Sequence, residues 1–423
     1  MTKLGYKTTE IGEIPEEWAC HAIGDPEISE NTKAGGTPLR SKKEYYENGN
    51  IPFVKIADIV NSGKYLDNTA DKINENGIKN SSSWITPPYS ILFSMYASYG
   101  ELTINKVPIA TNQAILSIIP NKSNIDLEYF YYQLKFLKPR LVKYLRYTTQ
   151  NNLNAGVVNS LIIPVAPLPE QQEIAEILST TDDEIQKVDE QITLTEQLKK
   201  GLMQRLLTRG IGHTRFKMTE IGEIPEEWDV KKIRELRQNI YYGITAKATK
   251  ENTNLRMLRT TDIKNFKFDL NNLPFCQITE KRSDLSKYFL KRNDIIIARA
   301  GTVGVSILVE ENLNNVLFGS YLIKIIFKQE TIDMPFIHYY FQSQLYWNNI
   351  SNAQGSTIKN INLPFLNSLE IPLPPIPEQQ KIAEILSTVD NKLELLGTKR
   401  DKLNVLKKGL MNDLLTGKVR VKV

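Results

Sequence analysis

The sequence predicts an α+β protein made by internal duplication, in which two globular domains each lead into a long helix. Three observations carry that prediction. TEIGEIPEEW at 9–18 returns letter for letter at 219–228. PEQQ, IAEILST and LKKGLM at 169–172, 174–180 and 198–203 return in the same order at 377–380, 382–388 and 406–411. The stretches between, 19–162 and 229–370, share a grammar of short β-rich runs and a late aromatic helix without sharing letters. At 423 residues the chain is too long for one ordinary core. The period is also far too long for a solenoid unit, so the pattern reads as a tandem duplication whose frames stayed alike.

Each domain opens on a short motif closed by Trp18 or Trp228, read as a core anchor. Strands are expected at 51–60, 91–96, 114–119, 294–299 and 321–327, where β-branched and aromatic residues cluster. Aromatic helices are expected at 126–138 and 333–347. The proline-rich strings IPVAPLP at 163–169 and IPLPPIP at 371–377 fix an extended path and forbid a helix. Helical periodicity begins right after, with Glu170 and Glu378 placed where a carboxylate suits the helix dipole.

From there about five heptads follow in each copy, the signature of a coiled-coil seam. The expected helix-pair interface is Ile174, Leu178, Ile185, Val188 and Ile192 with Ile382, Leu386, Val389, Leu393, Leu396 and Leu403. Thr181 and Thr195 make the first seam the looser one. Gly201 and Gly409 each cost a helix about 1 kcal/mol, which predicts a bend or a close backbone approach there. The domain plan is therefore 1–162, spacer helix region 163–210, second domain 211–370 and second spacer helix region 371–423.

Composition narrows the function. The 41% hydrophobic and 24% charged balance belongs to a soluble globular chain, and no apolar run suffices for a membrane span. The polar start MTKLGYKTTE does not read as a secretory leader. Two cysteines build no disulfide framework, which sets a cytoplasmic expectation. Three scattered histidines predict no metal site, and nothing predicts a cofactor. Phosphate-binding, zinc-protease, nucleophile-elbow and CxxC patterns are absent. Thr86-Pro87-Pro88-Tyr89 is similar to the motif with which amino-methyltransferases hold a target base, but threonine cannot copy its amide or carboxylate. It reads as a loop before a strand. The expectation is a non-catalytic chain.

Charge and loop chemistry point to nucleic acid instead. The two variable stretches hold 15 basic against 12 acidic residues and 19 against 13, so positive charge concentrates in the domains. Polar loops recur in matching places. In the first domain they offer Lys33, Gly35, Gly36, Thr37, Arg40, Lys42 and Lys43, then Tyr96, Ser98, Tyr99, Asn105 and Lys106, then Thr149, Gln150 and Asn151. In the second they offer Tyr241, Tyr242, Lys247, Lys250, Arg256 and Arg259, then Arg299 and Thr302, then Gln354, Ser356, Thr357 and Lys359. Lysine and arginine meet phosphates, asparagine, glutamine and arginine pair with base edges, and glycine lets backbone approach a duplex.

Taken together, the chain resembles the specificity subunit of type I restriction-modification systems. The resemblance rests on both EIPEEW motifs, AGGTP at 34–38, the IP-to-IAEIL passages at 163–178 and 371–386, and LKKGLM-x-x-LLT at 198–208 and 406–416. It implies two globular α/β target-recognition domains separated by a pair of long antiparallel coiled-coil helices, with pseudo-two-fold symmetry. It also implies a non-catalytic subunit that reads an asymmetric bipartite double-stranded DNA target and docks two methyltransferase subunits, with motor-nuclease subunits as further partners. The second domain departs from AGGTP, carrying YYGITA at 241–246. A solitary methyltransferase-nuclease fusion and a subunit of a methylation-only system are the alternatives.

Overall fold

The β-branched runs of each domain assemble into mixed sheets. A computed structural model describes residues 4–96, 98–145, 153–278, 284–354 and 360–422. The chain divides into one unit of Met1–Asp189 with Thr398–Val423 and another of Glu190–Gly397.

In the first unit, strands Ser29–Ala34, Ile115–Pro120, Ile91–Ser94, Leu102–Asn105 and Tyr65–Leu66 form a five-stranded sheet in that spatial order. All neighbours are antiparallel except the last pair. Ala110–Thr111, Ile51–Val54 and Lys72–Ile73 make a smaller sheet. Helix Leu127–Leu145 lays Tyr129, Phe130 and Leu134 into the core beside Phe93 and Leu116. Each such side chain stabilises the fold by about 1.5–3 kcal/mol. The run expected as strand 51–60 is strand only to Val54, and Ile56–Ser62 is helix. The Asp58 carboxylate accepts the Lys55 N–H at 2.8 Å and starts that helix. Thr86–Tyr89 is a loop, with the buried Thr86 hydroxyl 2.8 Å from that of Ser117.

In the second unit, Arg237–Tyr242, Leu322–Phe327, Ile295–Ala298 and Ser306–Leu308 repeat the first four strands in the same order. A five-stranded sheet runs Ala246–Thr249, Phe275–Ile278, Arg256–Leu258, Leu313–Phe318, Phe289–Leu290. The helix expected over 333–347 is split into Met334–Tyr340 and Gln344–Gln354. Ser343 causes the break: its hydroxyl donates to the Tyr340 carbonyl at 2.6 Å and accepts the Tyr346 N–H at 3.3 Å.

The long helices run Leu168–Arg209 and Ile376–Leu414. Both begin two residues before the expected start. Pro169 and Pro377 lie inside the first turn, where a backbone N–H has no helical partner to lose. Pro164 and Pro372 lie in strands Ile162–Val165 and Glu370–Leu373, which pair with Ala19–Ala22 and Asp229–Lys232 and so close each domain. Trp18 and Trp228 are fully buried, and their indole N–H groups donate to Glu170 and Glu378 at 3.0 and 2.9 Å.

Each unit contains the first half of one long helix and the last half of the other. In the first, Asp182 pairs with Lys407 and Asp189 with Arg400. In the second, Asp390 pairs with Lys199, and Glu378 accepts the Ile211 N–H beyond Arg209. Partner numbers fall as residue numbers rise, so the helices are antiparallel within each unit. Ile174, Leu178, Val188, Ile382, Leu386, Val389 and Leu396 are buried, while Ile185, Ile192, Leu393 and Leu403 are half-buried. Thr181 and Thr195 are buried too, their hydroxyls donating to the Ile177 and Gln191 carbonyls at 2.9 and 2.6 Å. Gly201 and Gly409 face open space inside unbroken helices, so the close backbone approach does not occur.

Candidate nucleic-acid interface

Antiparallel pairing decides which loops meet. In the first domain Leu116 faces Ala34 and Ile115 faces Ser94, so the loops after 34, after 94 and before 115 share one end of the sheet. Backbone bonds tie them: Gly35 N–H to Ile115 O (3.1 Å), Gly36 N–H to Thr111 O (3.0 Å) and Met95 N–H to Ala114 O (2.9 Å). The Leu153 N–H adds a fourth segment by donating to Met95 O at 3.0 Å.

The second domain repeats this wiring. Gly243 N–H donates to Leu322 O (3.0 Å), Ile244 N–H to Phe318 O (3.0 Å), Arg299 N–H to Tyr321 O (2.9 Å) and Ile361 N–H to Arg299 O (2.8 Å). YYGITA thus performs the backbone task of AGGTP, with Gly243 in the role of Gly35. The glycines serve the chain itself. A Cβ on Gly35 would strike the Thr111 carbonyl, one on Gly36 the Ser82 hydroxyl, and one on Gly243 the Gly319 carbonyl. Gly35 and Gly36 are therefore packing residues, and Gly36 is buried.

At the first domain's loop end, Thr37 donates to Gln113 at 2.5 Å on the exposed surface, and Ser98 is exposed. Tyr96 and Tyr99 are half-buried against the core. Lys33 lies 5.2 Å from the Trp84 ring, Arg40 is 3.9 Å from Asp71, Lys42 is 3.4 Å from Glu44, and Lys43 is exposed. At the second, Tyr242 and Thr302 are exposed and Tyr241 is half-buried, while Lys247 and Lys250 are exposed on and just after strand Ala246–Thr249 of the five-stranded sheet. The Arg299 guanidinium lies 4.6 Å from the Tyr242 ring centre.

Two candidates do not belong to these ends, and two more are engaged within their own domain. Asn105 is fully buried, its amide donating to Pro87 and Val107 carbonyls and its oxygen accepting the Ser90 N–H. Together with Lys106, which lies 4.6 Å from the Tyr65 ring, it sits at the opposite end of the sheet, since Ile104 pairs with Ile91. Arg256 stacks on Phe275 at 4.5 Å and donates to the Leu273 carbonyl. Arg259 follows Leu258, whose carbonyl accepts the Gly319 N–H of the loop end at 2.9 Å, and makes a two-pronged pair with Asp262 at 2.9 and 2.7 Å. Both arginines are engaged inside their own domain. Thr149, Gln150, Asn151, Ser356, Thr357 and Lys359 lie outside the described residues, and Gln354 ends helix Gln344–Gln354.

Sequence reasoning missed Gln113 and Tyr321. Both occupy the turn just before a central strand, and Tyr321 is a large aromatic that is 65% exposed. Among the described residues no group of histidine, cysteine and carboxylate could hold a metal ion, and no helix is long and apolar enough to cross a membrane.

A family model described as the type I restriction modification DNA specificity domain matches the chain twice, at residues 15–196 and 225–405. The chain is 30% identical to the type I restriction enzyme MjaVIII specificity subunit of Methanocaldococcus jannaschii, over 97% of this chain and 94% of that one. It is 31% identical to the putative type I restriction enzyme MjaX specificity subunit of the same organism, over 99% and 97% respectively. The crystal structure of a type I restriction-modification S subunit from M. genitalium superposes with a TM-score of 0.56, covering 94% of this chain and 96% of that chain. At 17% identity that likeness is one of fold.

Proposed function

We propose that this chain, which belongs to the type I restriction-modification DNA specificity family, reads a two-part duplex target, one half-site through the loop end of each domain. The observation that carries this reading is one loop end built twice on the same backbone bonds with different side chains. A shared scaffold gives each domain the same approach to a groove, and different side chains give each a different base preference. The two half-sites therefore differ. Lys33, Arg40, Lys42, Lys43, Lys247 and Lys250 supply sequence-independent attraction to phosphates, which falls as salt rises.

The repeated frames serve a second purpose. Because PEQQ-to-LKKGLM recurs with the same contacts, two copies of one methyltransferase subunit find equivalent docking surfaces. Motor-nuclease subunits join that assembly where a system has them. The chain itself neither methylates nor cleaves, and the complex works in the cytoplasm. Reconstitution with type I methyltransferase subunits, methylation of a random DNA library and sequencing of the modified sites tests the reading. The expected motif is two unlike blocks of fixed bases flanking an unread gap. One continuous block contradicts it, and S-adenosylmethionine binding by the purified chain alone would favour a self-contained methyltransferase.

A further inference from the structure

The two loop ends match bond for bond, so each position in one domain has a counterpart in the other. Arg299 occupies the place of Met95: both donate their N–H to the turn before a central strand and accept an N–H from the segment after the aromatic helices. Met95 is 2% exposed and completes the first domain's core. Arg299 does something else. Its guanidinium stacks on Tyr242, whose hydroxyl accepts the Leu363 N–H at 3.3 Å. Its Nε is buried without a hydrogen-bond partner among the described residues. Beside it stands the exposed ring of Tyr321. The matching positions in the first domain, Ala34 and Ala114, carry no aromatic ring.

A planar cation held by its backbone at both ends and by a ring on its face has a fixed plane. Neutralising a phosphate does not require that, whereas two parallel bonds to one base edge do. Buried donors are nearly always satisfied, so an Nε that finds no acceptor among the described residues leaves the guanidinium with hydrogen-bonding capacity to spare. Guanine presents two acceptors, O6 and N7, side by side in the major groove. We infer that Arg299, oriented by Tyr242, is the specificity-determining residue of the second domain and reads one guanine in its half-site. This rests on the two-part reading above. The first domain, with Met95 in that place, makes no such demand.

The variant Arg299→Met copies the first domain's own solution, and an unchanged melting temperature would secure its fold. In the reconstituted methyltransferase, the wild-type chain should show one invariant guanine in the half-site that changes. Arg299→Met should lower selectivity at that position by about 10–100-fold and leave the other half-site intact. On the mapped duplex, replacing that guanine with an analogue whose N7 is carbon should weaken the wild type and leave the variant unaffected. An unaltered motif with Arg299→Met overturns the assignment while leaving the two-part reading in place. Equal weakening of binding to every sequence would make Arg299 a phosphate contact and overturn it as well. A wild-type complex with no fixed motif would overturn the two-part reading and this assignment with it.

Discussion

Lys199 and Asp390 form an ion pair of 2.6 Å between the two long helices of the second unit, and Asp390 also accepts the Tyr339 hydroxyl at 2.8 Å. The first unit holds the same trio, with Asp182 accepting from Tyr132 at 2.9 Å and pairing with Lys407. Each lysine is the first of a repeated LKKGLM string, and each tyrosine lies on the aromatic helix of its domain. The carboxylate thus binds three elements at once. Lys199→Met leaves Asp390 half-buried without its cation and should destabilise the second unit by about 1–3 kcal/mol. Denaturant melts of the wild type and variant check this, and an unchanged midpoint would contradict it.

His338 sits beside that trio. Burial holds its imidazole down to about 4, with Lys199 pushing the same way and Asp390 opposing. A neutral buried imidazole in the fold and an ordinary one in the unfolded chain make the unfolded state bind more protons between about pH 6.5 and 4. The contribution is fully present above pH 6.5 and is lost as pH falls through that window, amounting to roughly 3 kcal/mol. His338→Gln should flatten this part of the stability curve. Parallel unfolding curves for the two proteins at pH 7, 5.5 and 4 give the comparison, and a constant difference across the window would refute the assignment.

A buried pair joins Lys324 and Asp294 at 3.1 Å, with both side chains under 5% exposed. Burial pushes the ammonium down and the carboxyl up, but Lys324 also donates to the Phe289 carbonyl and Asp294 accepts the Lys291 N–H. Lys324→Met strands the carboxylate and should cost about 3–5 kcal/mol. Adding Asp294→Asn should recover part of that loss. A double variant as unstable as the single one would show that the pair's charges are not the cause.

Gly201→Ala and Gly409→Ala should each stabilise their helix by up to about 1 kcal/mol, because the added methyl meets nothing and the unfolded chain loses freedom. A fall in melting temperature would reveal a contact at these positions.

The frames were legible because repetition exposed them. Identical strings at matching offsets locate Trp18 and Trp228, the helix starts and the seam without any structural knowledge. Sequence failed where a polar side chain chooses between its own chain and a partner. Asn105, Arg256 and Arg259 look like base readers in a loop, yet each bonds within its domain. Which end of a sheet a loop occupies depends on register, and that separates Lys106 from Lys33. Short apolar runs were equally ambiguous, as 51–60 shows, since four strand residues and a capped turn share one hydrophobic profile. Tyr321 could have been found by asking which aromatic precedes a buried, mostly apolar strand.

The central claim is that two separable domains read two halves of one target. Replacing residues 229–370 with the equivalent stretch of a relative, while keeping both long helices, tests it most directly. Methylated-library sequencing with the reconstituted complex should then show one half of the motif replaced and the other unchanged, with the gap preserved. A chimaera that folds and methylates but alters both halves would contradict the account.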